Sequence, residues 1–376
     1  MSEIITLKPN PPTIAACMIV KNEEDMLGAC LHSITPLVDD LVVVDTGSDD
    51  ATVEIAEEYG ARVFHFPWTG DFSEARNVAL DKSESDYILI MDADEELEQV
   101  DIPPIKEAAK SGVEGFIFQI HNLMSGGVAL QVQERLFKTG MGHYEGIKHN
   151  QLMGSRSRTM IPARISHYGY NLTPKKQKAK NLRDKGLLET QIEAEPDNTF
   201  HWRNYLRTLL SSMLYDDVIA HGVAIRERIL SESLVVTDGS YRLICTDLAN
   251  AYASQGETEK AIEVLAPLVR DNPSYIDGHF YLADCYFTNA QYQESLNEYV
   301  AYIQSLAYAK ANYATITSLI ETWGSTWRAY SNMAECYVEL KQYDQALNAL
   351  KITSLQSYEG MLDRQMRISR RIMQRR

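Results

Sequence analysis

Two aspartates one residue apart, Asp92 and Asp94, follow the apolar run Tyr87-Ile88-Leu89-Ile90-Met91 and precede Glu95 and Glu96. An apolar, partly β-branched run of this length reads as a strand buried on both faces. Carboxylates directly after such a strand lie at the carboxyl edge of an open α/β sheet, where ligands of these folds bind. On an extended backbone two residues at this spacing point the same way. Convergent carboxylates can hold a hard divalent cation, which can neutralise a diphosphate leaving group. Taken alone, D-x-D reads more readily as a solvated acidic turn that opens a helix. Glu95 and Glu96 then read as first-turn acids, stabilised by the positive end of the helix dipole.

The elements that would position these acids alternate. After an irregular lead-in over residues 1–12, Thr13–Val20 reads as a buried strand running into Lys21-Asn22-Glu23-Glu24. Met26–Ile34 has helical spacing, and Leu41–Val44 is a second buried strand that ends in Asp45. Asp50 or Thr52 can cap a helix through Tyr59, which Gly60 stops. Arg62–Phe66 is a third strand, and Ser73 reads as the cap of a helix with Arg76 and Asn77 in its early turns. Strands alternating with helices predict an open, mostly parallel sheet of Rossmann-like kind, with Asp45 and Asp92 on one edge. Beyond Asp101 the pattern loosens, with strands at Gly115–Ile120, Arg135–Phe137 and Ala163–His167. Thr173-Pro174 starts a long helix by cap and first-turn proline.

From about residue 175 the periodicity is helical. Leu248, Ala249 and Tyr252 recur as Leu282, Ala283 and Tyr286, the 34-residue offset of tetratricopeptide repeats. Ala261, Leu265 and Pro273 complete the first unit, and Ala334, Tyr337, Ala346 and Leu350 mark a third after an insert around Lys310–Thr326. A degenerate unit covers His201–Ser233. The predicted division is a lead-in (1–12), an α/β domain (13–172), a linking helix with the degenerate repeat (173–240) and repeats over 241–376, at about 242–275, 276–309 and 327–360. Stacked helix pairs form a slab whose concave face commonly takes a polypeptide. Tyr205, Tyr241, Asn250 and Tyr281 on the inner helices are candidate acceptor contacts, with inter-helix packing as the alternative use.

A net charge of −16 argues against non-specific nucleic-acid binding, which draws on clustered Lys and Arg. Five cysteines without paired spacing read as reduced core thiols of a cytoplasmic protein. Neither a signal peptide nor a membrane span is expected.

The ordered segments IVKNEEDMLGACLHSI, VVVDTGSDDATVEIA, GDFSEARNVAL and LIMDADEEL resemble the family 2 glycosyltransferases of the GT-A fold, over roughly residues 13–170. The later RLFKTG, HYEGIKH and ISHYGYN, followed by helical repeats, are similar to a bacterial subgroup with a C-terminal tetratricopeptide domain. That subgroup includes peptide and protein glycosyltransferases, among them S-glycosyltransferases of bacteriocins. The resemblance implies a metal-dependent, inverting transfer of a hexose or N-acetylhexosamine from a UDP-sugar to a peptide or protein acceptor held by the repeats. The repeats would serve acceptor binding, a homodimer interface, or both. Assembly of a surface glycan is the alternative, and a non-enzymatic repeat scaffold with a decayed first domain is a third reading.

The resemblance also implies roles. Val20, Asn22, Glu23 and Asp45 would hold the uracil and ribose, and Arg76 would meet the nucleotide. Asp92 would contact ribose and metal, Asp94 would ligate Mg2+ or Mn2+, and His167 would complete the protein ligands. Inversion needs a base that deprotonates the acceptor. Where relatives read H-E this chain reads His149-Asn150, which leaves Glu145, Glu134 and His149 as candidates. A thiol acceptor, with its lower pKa, would ask less of the base.

Overall fold

The fold is that of a computed structural model, which describes residues 10–124, 127–147, 151–154, 156–169, 174–236, 239–316, 319–353 and 368–369. The N-terminal half alternates strands and helices: β1 (Ile14–Val20), α1 (Leu27–Ile34), β2 (Asp40–Asp45), α2 (Thr52–Glu58), β3 (Arg62–His65), α3 (Phe72–Asp81) and β4 (Tyr87–Ile90). Then follow β5 (Glu95–Leu97), α4 (Ile102–Ala109), β6 (Gly115–Met124), β7 (Gly127–Lys138), β8 (His143–Glu145), β9 (Gln151–Met153) and β10 (Arg158–His167). Among the described residues eight strands form one sheet in the order β3-β2-β1-β4-β7-β6-β10-β5, and β8 pairs with β9 apart from it. Strands β1 to β4 are mutually parallel, as is β6 with β10, whereas β7 and β5 run antiparallel to β4 and β10. The mostly parallel sheet read from the sequence is therefore present.

The sheet is buried on both faces because its strands are apolar at successive positions. Ile14, Ala16, Met18 and Val20 of β1 join Leu27, Leu31 and Ile34 of α1 in one core, while Cys17 joins Val42, Val44, Ala79 and Ile88 in the other. Each fully buried side chain of this size contributes about 1.5–3 kcal/mol. All five cysteines are buried and unpaired, and burial pushes the Cys17 thiol up to about 12.

Three local expectations change. The N-cap of α3 is Asp71, whose carboxylate accepts the Ser73 and Glu74 amides; Ser73 lies inside the helix and donates to the Gly146 carbonyl. Glu95 and Glu96 open no helix, because Glu95–Leu97 pairs with Ile165–His167 as an edge strand. The region after Asp101, read as loose, contains α4 with prolines at its start.

Contacts divide the chain into two compact units. The first ends at Asn171 and leaves out Met124–Leu130, which go with the second, from Leu172 onward. The second unit consists of α5 (Pro174–Ala194), α6 (Thr199–Ser211), α7 (Tyr215–Leu230), α8 (Ser240–Ser254), α9 (Thr258–Asp271), α10 (Ile276–Thr288), α11 (Tyr292–Ala311), α12 (Thr326–Glu339) and α13 (Tyr343–Thr353). Successive antiparallel pairs fit tetratricopeptide-like repeats, and the recurring Leu248, Ala249, Leu265 and Leu282 share one core. The part of the last predicted unit beyond Thr353 lies outside the described residues.

The insert before α12 folds onto its own unit. Asp277 of α10 accepts the Glu321 and Thr322 amides and the Thr322 hydroxyl, at 3.0, 3.0 and 2.7 Å. Tyr281 donates to Glu321 at 2.8 Å, and Arg207 pairs with both Glu321 and Asp247. Leu130 and Ile320 exchange backbone hydrogen bonds of 2.8 and 2.7 Å. Of the tyrosines offered as acceptor contacts, Tyr205 is buried and hydrogen-bonded to Glu189, and Tyr281 is engaged by the insert.

Candidate active site

The site forms where β1, β2 and β4 end. Val20 and Asp45 are register partners at the tips of β1 and β2, and the Val20 carbonyl accepts from the Thr46 amide and hydroxyl. The two following loops are stitched together. Asn22 takes a φ of 56°, which asparagine tolerates better than most residues. Its amide donates to Ser48 Oγ at 3.0 Å and its Oδ1 accepts the Asp49 amide at 2.9 Å. The Glu23 amide donates to Thr52 Oγ1 at 2.8 Å. Asp45, 4% exposed, accepts the Gly47 and Ser48 amides and faces His65 Nδ1 at 3.2 Å. Burial alone would raise its pKa, but these hydrogen bonds hold it below the ordinary carboxylate value. Most of its accepting capacity is thereby used within the loops.

Asp92 and Asp94 stand on a turn, not on extended backbone, and their carboxylates diverge in role. Asp92 Oδ1 receives Arg76 Nη2 at 2.6 Å, and Arg135 Nη1 lies 3.9 Å from Oδ2. Enclosure works against its charge, yet the two guanidinium groups outweigh this and hold its pKa well below the usual range. Arg76 in turn stacks over the Tyr144 ring, 5.3 Å from its centroid. Glu95 closes the turn: its Oε2 accepts the Asp92 amide at 2.8 Å and its Oε1 receives Arg135 Nη2 at 2.5 Å. Burial and the neighbouring Asp92 push Glu95 upward while Arg135 opposes them. From α1, Cys30 donates to the Asp92 carbonyl at 3.3 Å and Ser33 Oγ accepts the Leu97 amide at 3.0 Å.

Asp94 faces the other way. Its Oδ2 is 3.3 Å from His167 Nε2, an approach that follows from the pairing of Glu95 with His167 across β5 and β10. The carbonyl of Asp94 accepts the Tyr168 amide at 2.9 Å. On the far side of the ring, His167 Nδ1 is 2.7 Å from Asn122 Oδ1.

Asp92, Asp94 and His167 are therefore neighbours, with Asp92 Oδ1 held by Arg76 and Asp94 Oδ2 beside His167. Among the described residues no group of three His, Cys, Asp or Glu side chains is gathered to hold a metal. The pair Asp94–His167 fits a divalent cation shared with ligand oxygens, since a carboxylate and an imidazole are donors that Mn2+ or Mg2+ sites accept. Space fits as well. A β-carbon at Gly169 would overlap Asp94 Oδ2 and come within 2.7 Å of His167 Nε2.

The two described base candidates have neighbours of their own. Glu145 is exposed on β8 and 2.8 Å from His143 Nε2, on the side of the strand opposite the buried Tyr144. Glu134 is buried beside Gly115, 3.7 Å from Arg158 Nε. His149 lies outside the described residues. Sequence reading missed Arg135, Glu95 as its partner, and Asn122. A buried arginine followed in its strand by the buried Leu136 and Phe137 signals a buried acid nearby without naming it.

Residues 15–159 match the family model described as Glycosyl transferase family 2. A TPR repeat-containing protein of Synechococcus elongatus is 32% identical over 210 residues, covering 50% of this chain and 50% of that protein. The SPbeta prophage-derived glycosyltransferase SunS of Bacillus subtilis is 28% identical over 204 residues, 51% of this chain and 48% of SunS. The chain thus spans about half the length of the curated relatives it matches. Glucosyl-3-phosphoglycerate synthase from Mycobacterium tuberculosis, crystallised with Mn2+, UDP and glucosyl-3-phosphoglycerate, is 26% identical. It covers 30% of this chain and 44% of its own, with a TM-score of 0.25.

Proposed function

We propose, from the premise that residues 15–159 are a glycosyl transferase family 2 domain, that this chain moves a hexose or N-acetylhexosamine from a UDP-sugar to a side chain of a peptide or protein, with inversion. The observation that carries the reading is the Asp94–His167 pair beside an Asp92 fixed by Arg76 and Arg135, at the carboxyl edge of a parallel sheet. Asp94 and His167 would hold Mg2+ or Mn2+. When bound, that cation supplies positive charge to the departing diphosphate.

The chain's own residues do the rest. The loops after β1 and β2, tied by Asn22, Ser48 and Asp49, would frame the uracil and ribose, with Val20, Glu23 and Asp45 at their base. Arg76 and Arg135 hold Asp92 ionised and in one orientation, so it can accept from a ribose hydroxyl without reorganising. Deprotonation of the acceptor we assign to Glu145, an exposed carboxylate next to His143. A peptide or protein acceptor is supported by the helix pairs, an architecture that commonly binds polypeptide. Among the described residues no helix is long and apolar enough to cross a membrane.

Intact-mass analysis of peptides incubated with the full chain, Mn2+ and a panel of UDP-sugars tests donor and acceptor together. A hexose or N-acetylhexosamine increment on a peptide is the expected result. Transfer to glycolipid acceptors alone would replace the peptide reading with one of surface-glycan assembly.

A further inference from the structure

The pair that faces the proposed cation is held by two residues with no donor role of their own. Asn122 is 2% exposed on β6, directly across from His167 in the β6–β10 register. With its amide oxygen turned to the ring, Asn122 accepts at 2.7 Å from the tautomer that carries hydrogen on His167 Nδ1. In that neutral tautomer Nε2, 3.3 Å from Asp94 Oδ2, is the nitrogen that a cation held between the two side chains would use. Gly169 acts by what it lacks, since any β-carbon there would enter the space shared by Asp94 Oδ2 and His167 Nε2. Both obstructed atoms are side-chain ends, so an added methyl displaces the pair itself and not the backbone.

We propose that Asn122 and Gly169 are positioning residues for the divalent-cation site: Asn122 sets the tautomer and direction of His167, and Gly169 keeps the gap between His167 and Asp94 open. The proposal rests on the transferase reading above. Outer-shell partners of ligating histidines typically change metal affinity by about 10- to 100-fold when removed. Asn122→Leu removes the acceptor, Asn122→Asp retains one, and Gly169→Ala fills the gap.

The test is Mn2+ binding to the full chain in the presence of UDP, read from the loss of the free Mn2+ electron paramagnetic resonance signal, with each melting temperature measured alongside. Asn122→Leu and Gly169→Ala should weaken binding about 10- to 100-fold. Asn122→Asp should stay within a few-fold of the wild type, a rescue that a merely structural role for the amide would not give. Gly169→Ala, in the turn beyond β10, should leave melting unchanged and so separates loss of the site from loss of the fold. Wild-type affinity in both Asn122→Leu and Gly169→Ala would overturn this inference alone. Absence of Mn2+ binding in the wild type would overturn the transferase reading beneath it as well.

Discussion

At the scale of single residues, the candidate acids could be named because a strand-then-acid pattern needs only local sequence. Asp94, Arg76 and His167 could each be named from the chain, and the structure puts Asp94 beside His167 and Arg76 beside Asp92. Their supports were not legible. Arg135 reaches Glu95 across 40 positions and Asn122 reaches His167 across 45, and no local pattern encodes such pairs. The Glu95–Arg135 pair is 1% and 5% exposed at its side chains, so removing one partner strands a buried charge. Glu95→Leu should cost about 3–5 kcal/mol, and the double variant with Arg135→Met should recover much of that loss. Urea unfolding of both singles and the double closes this cycle. Strictly additive losses would show that the pair does not act as a unit.

At the scale of elements, periodicity identified the parallel strands and the repeats, but not what the chain does between them. Glu95–Leu97 became a strand, against the helix expected of D-E-E, because its partner Ile165–His167 lies far along the chain. Tertiary pairing overrides local propensity here. Within the repeats, His279 of α10 lies 2.6 Å from Glu298 by Nδ1 and 3.0 Å from the Pro273 carbonyl by Nε2, so the protonated ring satisfies both acceptors. Burial disfavours the charge, yet these partners outweigh it and raise the folded-state pKa above the ordinary value. Stability from this group is therefore full below the unfolded pKa of about 6.5 and is lost as pH rises through the higher folded value. Thermal melts should fall across that window in the wild type, and the slope should shrink in His279→Gln. An identical slope in the variant would assign the pH dependence elsewhere.

At the scale of the whole molecule, the change from strand signals to helical periodicity near residue 175 was the basis for dividing the chain, and contacts sort it into two compact units. What periodicity did not reveal is that Met124–Leu130, in the middle of the first half, belong with the second unit. Leu130 is fully buried and exchanges two backbone hydrogen bonds with Ile320, and the Val128 carbonyl accepts the Gly324 amide at 2.7 Å. A fragment ending at residue 169 keeps this start of β7 without its partners, and an exposed apolar strand edge associates. Such a fragment should aggregate in size-exclusion chromatography, and Leu130→Lys should return it to a monomer. A monodisperse wild-type fragment would contradict that.

The most direct test of the central claim is UDP release by the full chain from a panel of UDP-sugars with Mn2+, compared with Asp94→Ala at matched folding. Loss of a cation contact worth several kcal/mol should lower the rate by about a hundredfold or more. Full activity in Asp94→Ala would contradict the account.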